Sequence, residues 1–301
     1  MSETTGNRQY RDRLFKFIFG NPDNREWTLS LYNAVNGSNY TDASKITFNT
    51  IENAVYMSMK NDVSFLIDNV ISFYEQQSTF NPNMPMRFLI YAGMVYERYI
   101  ETNKSYRRNS SAQQKAPTPK CICFYNGVTK KDDTVILKLS DSFDGESDIE
   151  VKVRMLNINY GHNKELLEAC KPLKEYSWFV DKVRSNAKMV ENLEEALDAT
   201  LSELPDDSLI KPFLLANRAE VKHMCITEYD EVRAFAEQRE EGREEGIEIG
   251  REEGIEIGIE RGRLIAFIDL VKKGFLTVEQ AAKEFNMTIQ EFENKAAGLT
   301  S

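Results

Sequence analysis

Cysteine and histidine are scarce in this chain of 301 residues, which contains four Cys and two His. The cysteines form no C-x-x-C pair and have no nearby histidine, and zinc sites and disulfide frameworks both depend on such groupings. Cys121 and Cys123 alternate along an apolar run, so we expect them to pack as small hydrophobic side chains. His162 and His223 stand alone in the sequence, which leaves hydrolysis by a nucleophilic triad without a candidate base.

Long apolar runs are also missing from the sequence. None approaches the roughly 20 residues that a membrane-spanning helix needs. The first residues, MSETTGNRQYRDR, are polar and lack the apolar segment of a signal peptide. With 41% hydrophobic residues the chain can still bury a sizeable core. We therefore expect a cytoplasmic protein without a membrane segment.

Positive charge is in deficit, and the net charge is −10. Much of that charge comes from positions 237–261, which hold ten Glu and four Arg. The acidity argues against broad non-specific DNA binding, but it leaves room for a local groove that binds phosphate.

The spacing of apolar residues predicts an α/β core with a helical C-terminal extension. Helical spacing covers 9–19, 25–36 and 85–102, and a helical pattern also runs from 164 to about 238. Strand-like runs cover 120–125, 134–139 and 149–158. From these patterns we predict a core over 1–163, a helical extension over 164–238, a Gly/Glu/Arg repeat helix or linker over 239–263, and a small helical cap over 264–301.

The repeat segment has a glycine at every fourth position from Gly242 to Gly262. Each glycine costs a helix roughly 1 kcal/mol relative to alanine, so such a helix needs support from charge pairs or from a close partner. Two interpretations stay open: a solvated spacer helix, and a homo-oligomer that forms through the stripe of small residues.

The last segment contains two capping boxes, Thr277 with Gln280 and Thr288 with Glu291. They predict short helices around a tight corner. Such a unit is either a small interaction cap or a helix-turn-helix DNA reader. The acidic composition of its final helix favours the cap.

The stretch MKNDVSFLIDNVISFYEQQS, residues 59–78, predicts a β-hairpin with a two-residue turn at Asp68 and Asn69. In that register Asp62 lies directly opposite Glu75. Gln77 points to the same face as Glu75, because side chains alternate along a strand, and its cross-strand partner is Lys60.

Two opposed carboxylates repel each other, so the arrangement favours a proton or a cation between them. Magnesium prefers oxygen ligands and keeps several waters, which suits such a pair. The alternative is a solvent-facing hairpin in which both acids stay hydrated.

At these residues the chain resembles a known family. The pattern D-x12-E-x-Q, formed by Asp62, Glu75 and Gln77, is similar to the PD-(D/E)XK nuclease motif in its E-x-Q variant, and in particular to the Rpn-type recombination-promoting nucleases, also called PD-(D/E)XK nuclease family transposases. Supporting similarities are DRLFKFIFG at 12–20, RFLIYAGMVY at 87–96, PTPKCICFYNG at 117–127 and the glycine-repeat tail.

The resemblance implies a restriction-endonuclease-like core, in which a mixed sheet is flanked by helices, and Mg²⁺-dependent hydrolysis of DNA phosphodiesters. Asp62 and Glu75 correspond to the metal ligands. Gln77 stands where most of the superfamily has lysine, and it can orient a group only by hydrogen bonding. Lys60 could restore a cation to the site. Asp12 could approach it from the first helix, or could serve as a cap or surface residue.

The leading hypothesis is therefore a magnesium-dependent DNA endonuclease that acts in recombination or mobile-element processing. A basic loop with Lys104, Arg107 and Arg108 is a candidate for contacts with the DNA backbone. The alternative is a catalytically inactive protein on the same fold, which binds DNA or protein or serves in assembly.

Overall fold

A computed structural model of the chain describes residues 14–48, 63–107, 109–190 and 192–300, the side chains at 228, 231–236, 299 and 300 excepted. The chain forms two compact units, Met1–Val232 and Arg233–Ser301. Within the described ranges no helix combines the length and the apolar character that crossing a bilayer requires.

The first unit is built on a mixed sheet of six strands. They are β1 (Thr47–Phe48), β2 (Val63–Ile67), β3 (Val70–Gln77), β4 (Thr118–Tyr125), β5 (Thr134–Lys138) and β6 (Lys152–Asn157). Their order in the sheet is β1-β2-β3-β4-β6-β5. The β3/β4 and β4/β6 pairs are parallel, and the other three pairs are antiparallel.

Helices enclose this sheet, which confirms the predicted α/β class. They are α1 (Leu14–Phe19), α2 (Arg25–Asn36), α3 (Met84–Thr102), α4 (Lys164–Ala169), α5 (Lys171–Asn186), α6 (Leu193–Glu203) and α7 (Lys211–Ala216), and α8 (Arg218–Lys272) continues into the second unit. The predicted bounds of α2 are confirmed, and Gly37 ends that helix with φ 62°, a conformation that glycine adopts without steric cost.

Each face of the sheet has its own apolar layer. One layer joins alternate residues of β2 and β3, such as Phe65 and Tyr74, to α1, α2 and α5. The other joins Ile71, Phe73 and Cys123 to the apolar side of α3. Because both layers are buried, the central strands are covered on both sides, and a polar side chain there is shielded from water.

Two predicted strands are shorter in the structure. β5 ends one residue early at Lys138, and β6 begins at Lys152 rather than at 149. The reason is a turn at Leu139–Ser142, whose backbone N–H groups at Leu139 and Ser140 donate to the Glu150 carboxylate. Glu150 is therefore used as a cap for the turn.

The second unit contains the end of α8, followed by α9 (Val278–Glu284) and α10 (Ile289–Thr300). The repeat segment over 239–263 is helical, because α8 runs through it without interruption. Both capping boxes form, and Gly274, with φ 76°, follows the end of α8. The helical C-terminal region is confirmed, whereas the four-part domain division stays a prediction.

Candidate active site

The β2–β3 hairpin has the register that the sequence predicts. Asp68 adopts φ 47° in the turn, a left-handed conformation that Asp tolerates better than most residues. The Cα partners are Val63–Tyr74, Ser64–Phe73, Phe65–Ser72, Leu66–Ile71 and Ile67–Val70. The hairpin therefore fixes which face of the sheet each residue of β3 occupies.

Three of the five predicted site residues, Asp12, Lys60 and Asp62, lie outside the described residues. So does Arg108 of the basic loop. Their positions and roles stay predictions, and the described part of the candidate site consists of Glu75 and Gln77 with the residues around them.

Glu75 and Gln77 lie near the carboxyl end of β3, on the face covered by α3. Only 2% of Glu75 and 6% of Gln77 is exposed. In the parallel ladder with β4, Glu75 pairs with Cys123 and Gln77 with Tyr125. The hydrated, solvent-facing hairpin that the sequence left open therefore does not apply to Glu75.

Arg87 supplies the charge partner of this buried carboxylate. Its Nη2 lies 2.6 Å from Glu75 Oε1, a charge-assisted contact between β3 and α3. The Arg87 side chain is 29% exposed, so the guanidinium lies between the buried carboxylate and the solvent. Removing one member of a buried ion pair typically costs about 3–5 kcal/mol, because the other charge stays behind without compensation.

Neighbours on α3 hold the guanidinium in place. Arg87 donates from Nε and from Nη2 to the Tyr91 hydroxyl, at 3.2 and 2.8 Å, and Nη1 lies 3.7 Å from the Met84 sulfur. Residues three and four apart share one face of a helix, which is why these side chains meet. The turn of α3 that covers Glu75 therefore also orients its cation.

Gln77 extends the same polar group. Its Nε2 lies 3.4 Å from Glu75 Oε1, the oxygen that Arg87 also contacts. The Gln77 backbone carbonyl accepts the N–H of Asn126, which ties the end of β3 to the residue after β4. One carboxylate oxygen is thus approached by a guanidinium and by an amide.

At the carboxyl end of β6 and just beyond it, side-chain amides of asparagine residues donate hydrogen bonds to carbonyl groups of neighbouring loops. Asn157 donates to the Lys131 carbonyl and Asn159 to the Gly127 carbonyl. His162 Nδ1 lies 2.6 Å from Asp133 Oδ1 on the same border. The hydrogen bond from His162 is the main cause that lowers the pKa of Asp133.

The cysteines behave as the sequence suggests. Cys123 is buried in the layer against α3, and burial raises the pKa of the neighbouring Cys121 thiol to about 12. Within the described ranges, no group of three His, Cys, Asp or Glu side chains is arranged to hold a metal ion.

Glu75 and Gln77 carry side-chain oxygen atoms, the type of ligand that magnesium prefers. Mg²⁺ is commonly held by one or two carboxylates and completes its shell with water and substrate oxygens. Glu75 supplies one carboxylate, and Gln77 an amide beside it. Asp62 is the predicted second ligand.

From the sequence we predict Glu75 and Gln77 as site residues but no role for Arg87. The segment around Arg87 is nevertheless one of those that resemble the nuclease family. The available signal was the spacing of Arg87 and Tyr91, four residues apart on the helix that follows the hairpin. That spacing predicts that the two side chains meet. It does not reveal which strand residue they approach.

Comparisons of the chain with protein-family models, with curated proteins and with solved structures found no match.

Proposed function

We propose that the chain is a magnesium-dependent DNA endonuclease of the PD-(D/E)XK type, with a restriction-endonuclease-like core and a role in recombination or mobile-element processing. The observation that carries this proposal is the buried carboxylate of Glu75 near the end of β3, beside Gln77 and one residue beyond the last described pair of the hairpin. The mixed sheet with helices on both faces is consistent with it.

In this proposal Asp62 and Glu75 would hold Mg²⁺, with Asp62 opposite Glu75 as the sequence predicts. A bound magnesium ion would activate water and neutralise the scissile phosphate. Arg87 orients the Glu75 carboxylate from α3, and Gln77 orients the attacking group or the phosphate through hydrogen bonds from its amide. The buried setting excludes bulk water from this carboxylate.

The decisive experiment is nicking of supercoiled plasmid DNA with Mg²⁺ and with EDTA. Wild type is compared with Asp62→Asn and Glu75→Gln, which keep the shape of the side chain and remove its charge. We expect cleavage by the wild type with Mg²⁺ alone, and a loss of at least about 100-fold in each variant. Circular dichroism and thermal melting show whether each variant is folded. Normal cleavage by folded Asp62→Asn would contradict the metal assignment.

A second candidate is a catalytically inactive protein that binds DNA or protein. The Glu75–Arg87 pair favours it, since a neutralised buried carboxylate can serve the fold without a metal. For this candidate, folded wild type fails to cut linear, supercoiled and single-stranded DNA under all metal conditions. Gel-shift measurements on the same DNA forms then tell DNA binding from protein binding.

The predicted homo-oligomer through the glycine-repeat helix is compatible with either candidate, and it stays a proposal.

A further inference from the structure

The Glu75–Arg87 contact places a permanent positive charge at the carboxylate that is proposed to bind magnesium. The guanidinium carries its charge at every physiological pH. Arg87 Nη2 lies 2.6 Å from Glu75 Oε1, and only 3% of the Glu75 side chain is exposed, so water screens this interaction weakly.

We propose that Arg87 is a positioning residue that weakens Mg²⁺ binding to the free protein and so makes metal binding depend on DNA. This inference rests on the proposed function and extends it to the order in which the site fills. A dication that approaches Glu75 is repelled by Arg87, which already contacts the same carboxylate. A DNA phosphate adds negative charge and offsets that repulsion.

Hydrogen bonds within α3 hold the Arg87 guanidinium beside Glu75. The Tyr91 hydroxyl accepts two hydrogen bonds from the guanidinium, and both residues lie on α3. Release of the carboxylate would therefore also require the contacts with Tyr91 to be rearranged. The arginine is consequently a fixed part of the charge balance around Glu75.

A substitution at Gln77 can test whether positive charge at this carboxylate weakens Mg²⁺ binding. Its Nε2 already lies 3.4 Å from the oxygen that Arg87 contacts. A lysine at position 77 therefore brings a positive charge to the same oxygen from β3. If charge is what matters, this lysine reproduces the effect of Arg87 in a protein that lacks the arginine.

The test is calorimetric titration of Mg²⁺ into the protein without DNA, repeated with a non-cleavable phosphorothioate duplex. We expect weak binding to the wild type and to Arg87→Lys. We expect binding at least about tenfold tighter in Arg87→Gln, because one repelling charge is gone. The double variant Arg87→Gln/Gln77→Lys should return to weak binding. With the duplex present, the wild type should gain at least about tenfold in Mg²⁺ affinity.

One variant serves as a matched control. Arg98→Gln removes an arginine three turns further along α3, so its Mg²⁺ affinity should stay within about threefold of the wild type. Thermal melting of each variant shows whether it is folded, and Arg87→Lys and the double variant keep a cation beside the buried carboxylate.

The possible outcomes distinguish a failure of this inference from a failure of the proposed endonuclease function. Unchanged or weaker Mg²⁺ binding in folded Arg87→Gln overturns the inference, even if the wild type cuts DNA. Tight binding in the double variant also overturns it, because the added charge then has no effect. Tighter binding in Arg87→Gln, together with a wild type that never cuts, supports the inference and rejects the endonuclease.

Discussion

Gln76 donates a hydrogen bond of 2.6 Å from Nε2 to Asn126 Oδ1, and both side chains are buried. Asn126 in turn donates from Nδ2 to the Tyr176 hydroxyl at 3.2 Å. The three side chains link the end of β3, the residue after β4, and α5. Gln76 points to the face of the sheet opposite Glu75 and Gln77. The link therefore stabilises the end of β3 from the face that does not carry the candidate site.

Replacing Asn126 with alanine should lower the free energy of unfolding by about 1–3 kcal/mol, because Gln76 and Tyr176 then lose a partner in a buried place. Urea denaturation measures the change. Gln113→Ala removes an amide from an exposed loop and should change the stability by less than about 0.5 kcal/mol. Equal effects of the two substitutions would contradict the buried link.

Gly127 and Gly93 should respond in opposite directions to substitution by alanine. A Cβ at Gly127 would overlap the Ser78 carbonyl oxygen and the Tyr125 ring, so the backbone would have to move. A Cβ at Gly93 within α3 meets nothing within 4 Å. We expect Gly127→Ala to lower the thermal melting temperature, and Gly93→Ala to raise it through a gain of about 1 kcal/mol in helix propensity. A stabilised Gly127→Ala would show that the loop after β4 is less tightly packed.

The glycines of α8 provide a test of how the repeat helix is used. A Cβ at any of the six positions from Gly242 to Gly262 meets no other atom within 4 Å. As a spacer helix, the segment should gain about 1 kcal/mol per alanine when all six are replaced. Circular dichroism should then show a higher helix melting temperature.

Light scattering over a range of protein concentrations completes this test. If the glycine stripe of α8 packs against a second copy of the chain, that contact needs small side chains. The six alanines should then lower the mass measured for the oligomer. The mass of a monomer at every concentration in both proteins would reject self-association through the stripe.

Asp133 should have a carboxyl pKa below its ordinary value of 3.8, mainly because of the hydrogen bond with His162. A lowered pKa in the folded state means that the contribution of this group to stability is present above the unfolded value. It is lost as the pH falls through the lowered folded value. NMR titration of the side-chain carboxyl carbon measures this pKa, and His162→Ala should bring it back towards 3.8. Because Asp133 is well exposed, we expect the effect on global stability to be small.

The elements that the sequence predicted best are those with strong local rules. The bounds of α2 follow from its apolar stripe and from Gly37, and the hairpin register follows from the turn residues Asp68 and Asn69. The capping boxes of the second unit are fixed by pairs three residues apart. Each of these signals lies within a few residues of the structure that it specifies.

The parts that could not be predicted depend on contacts between distant residues. No local pattern shows that Arg87 reaches Glu75, because the contact depends on how α3 packs on the sheet. The burial of Glu75 is likewise set by α3 and by the pairing of β3 with β4. The ranges predicted for β5 and β6 were longer than the observed strands, because the use of Glu150 as a cap depends on a neighbouring turn.

The connection between β3 and β4 has a consequence for the order of folding. β2 and β3 are joined by a two-residue turn, and such hairpins form in about 1–10 μs. The parallel pairing of β3 with β4 must wait for the closure of a segment of about forty residues that includes α3. Glu75 can stay hydrated until α3, the helix that covers it, docks on the sheet. Arg87 arrives on that same helix, so the step that removes water from the carboxylate also delivers its counter-charge, and the chain avoids burying an unpaired acid on the way to its native state.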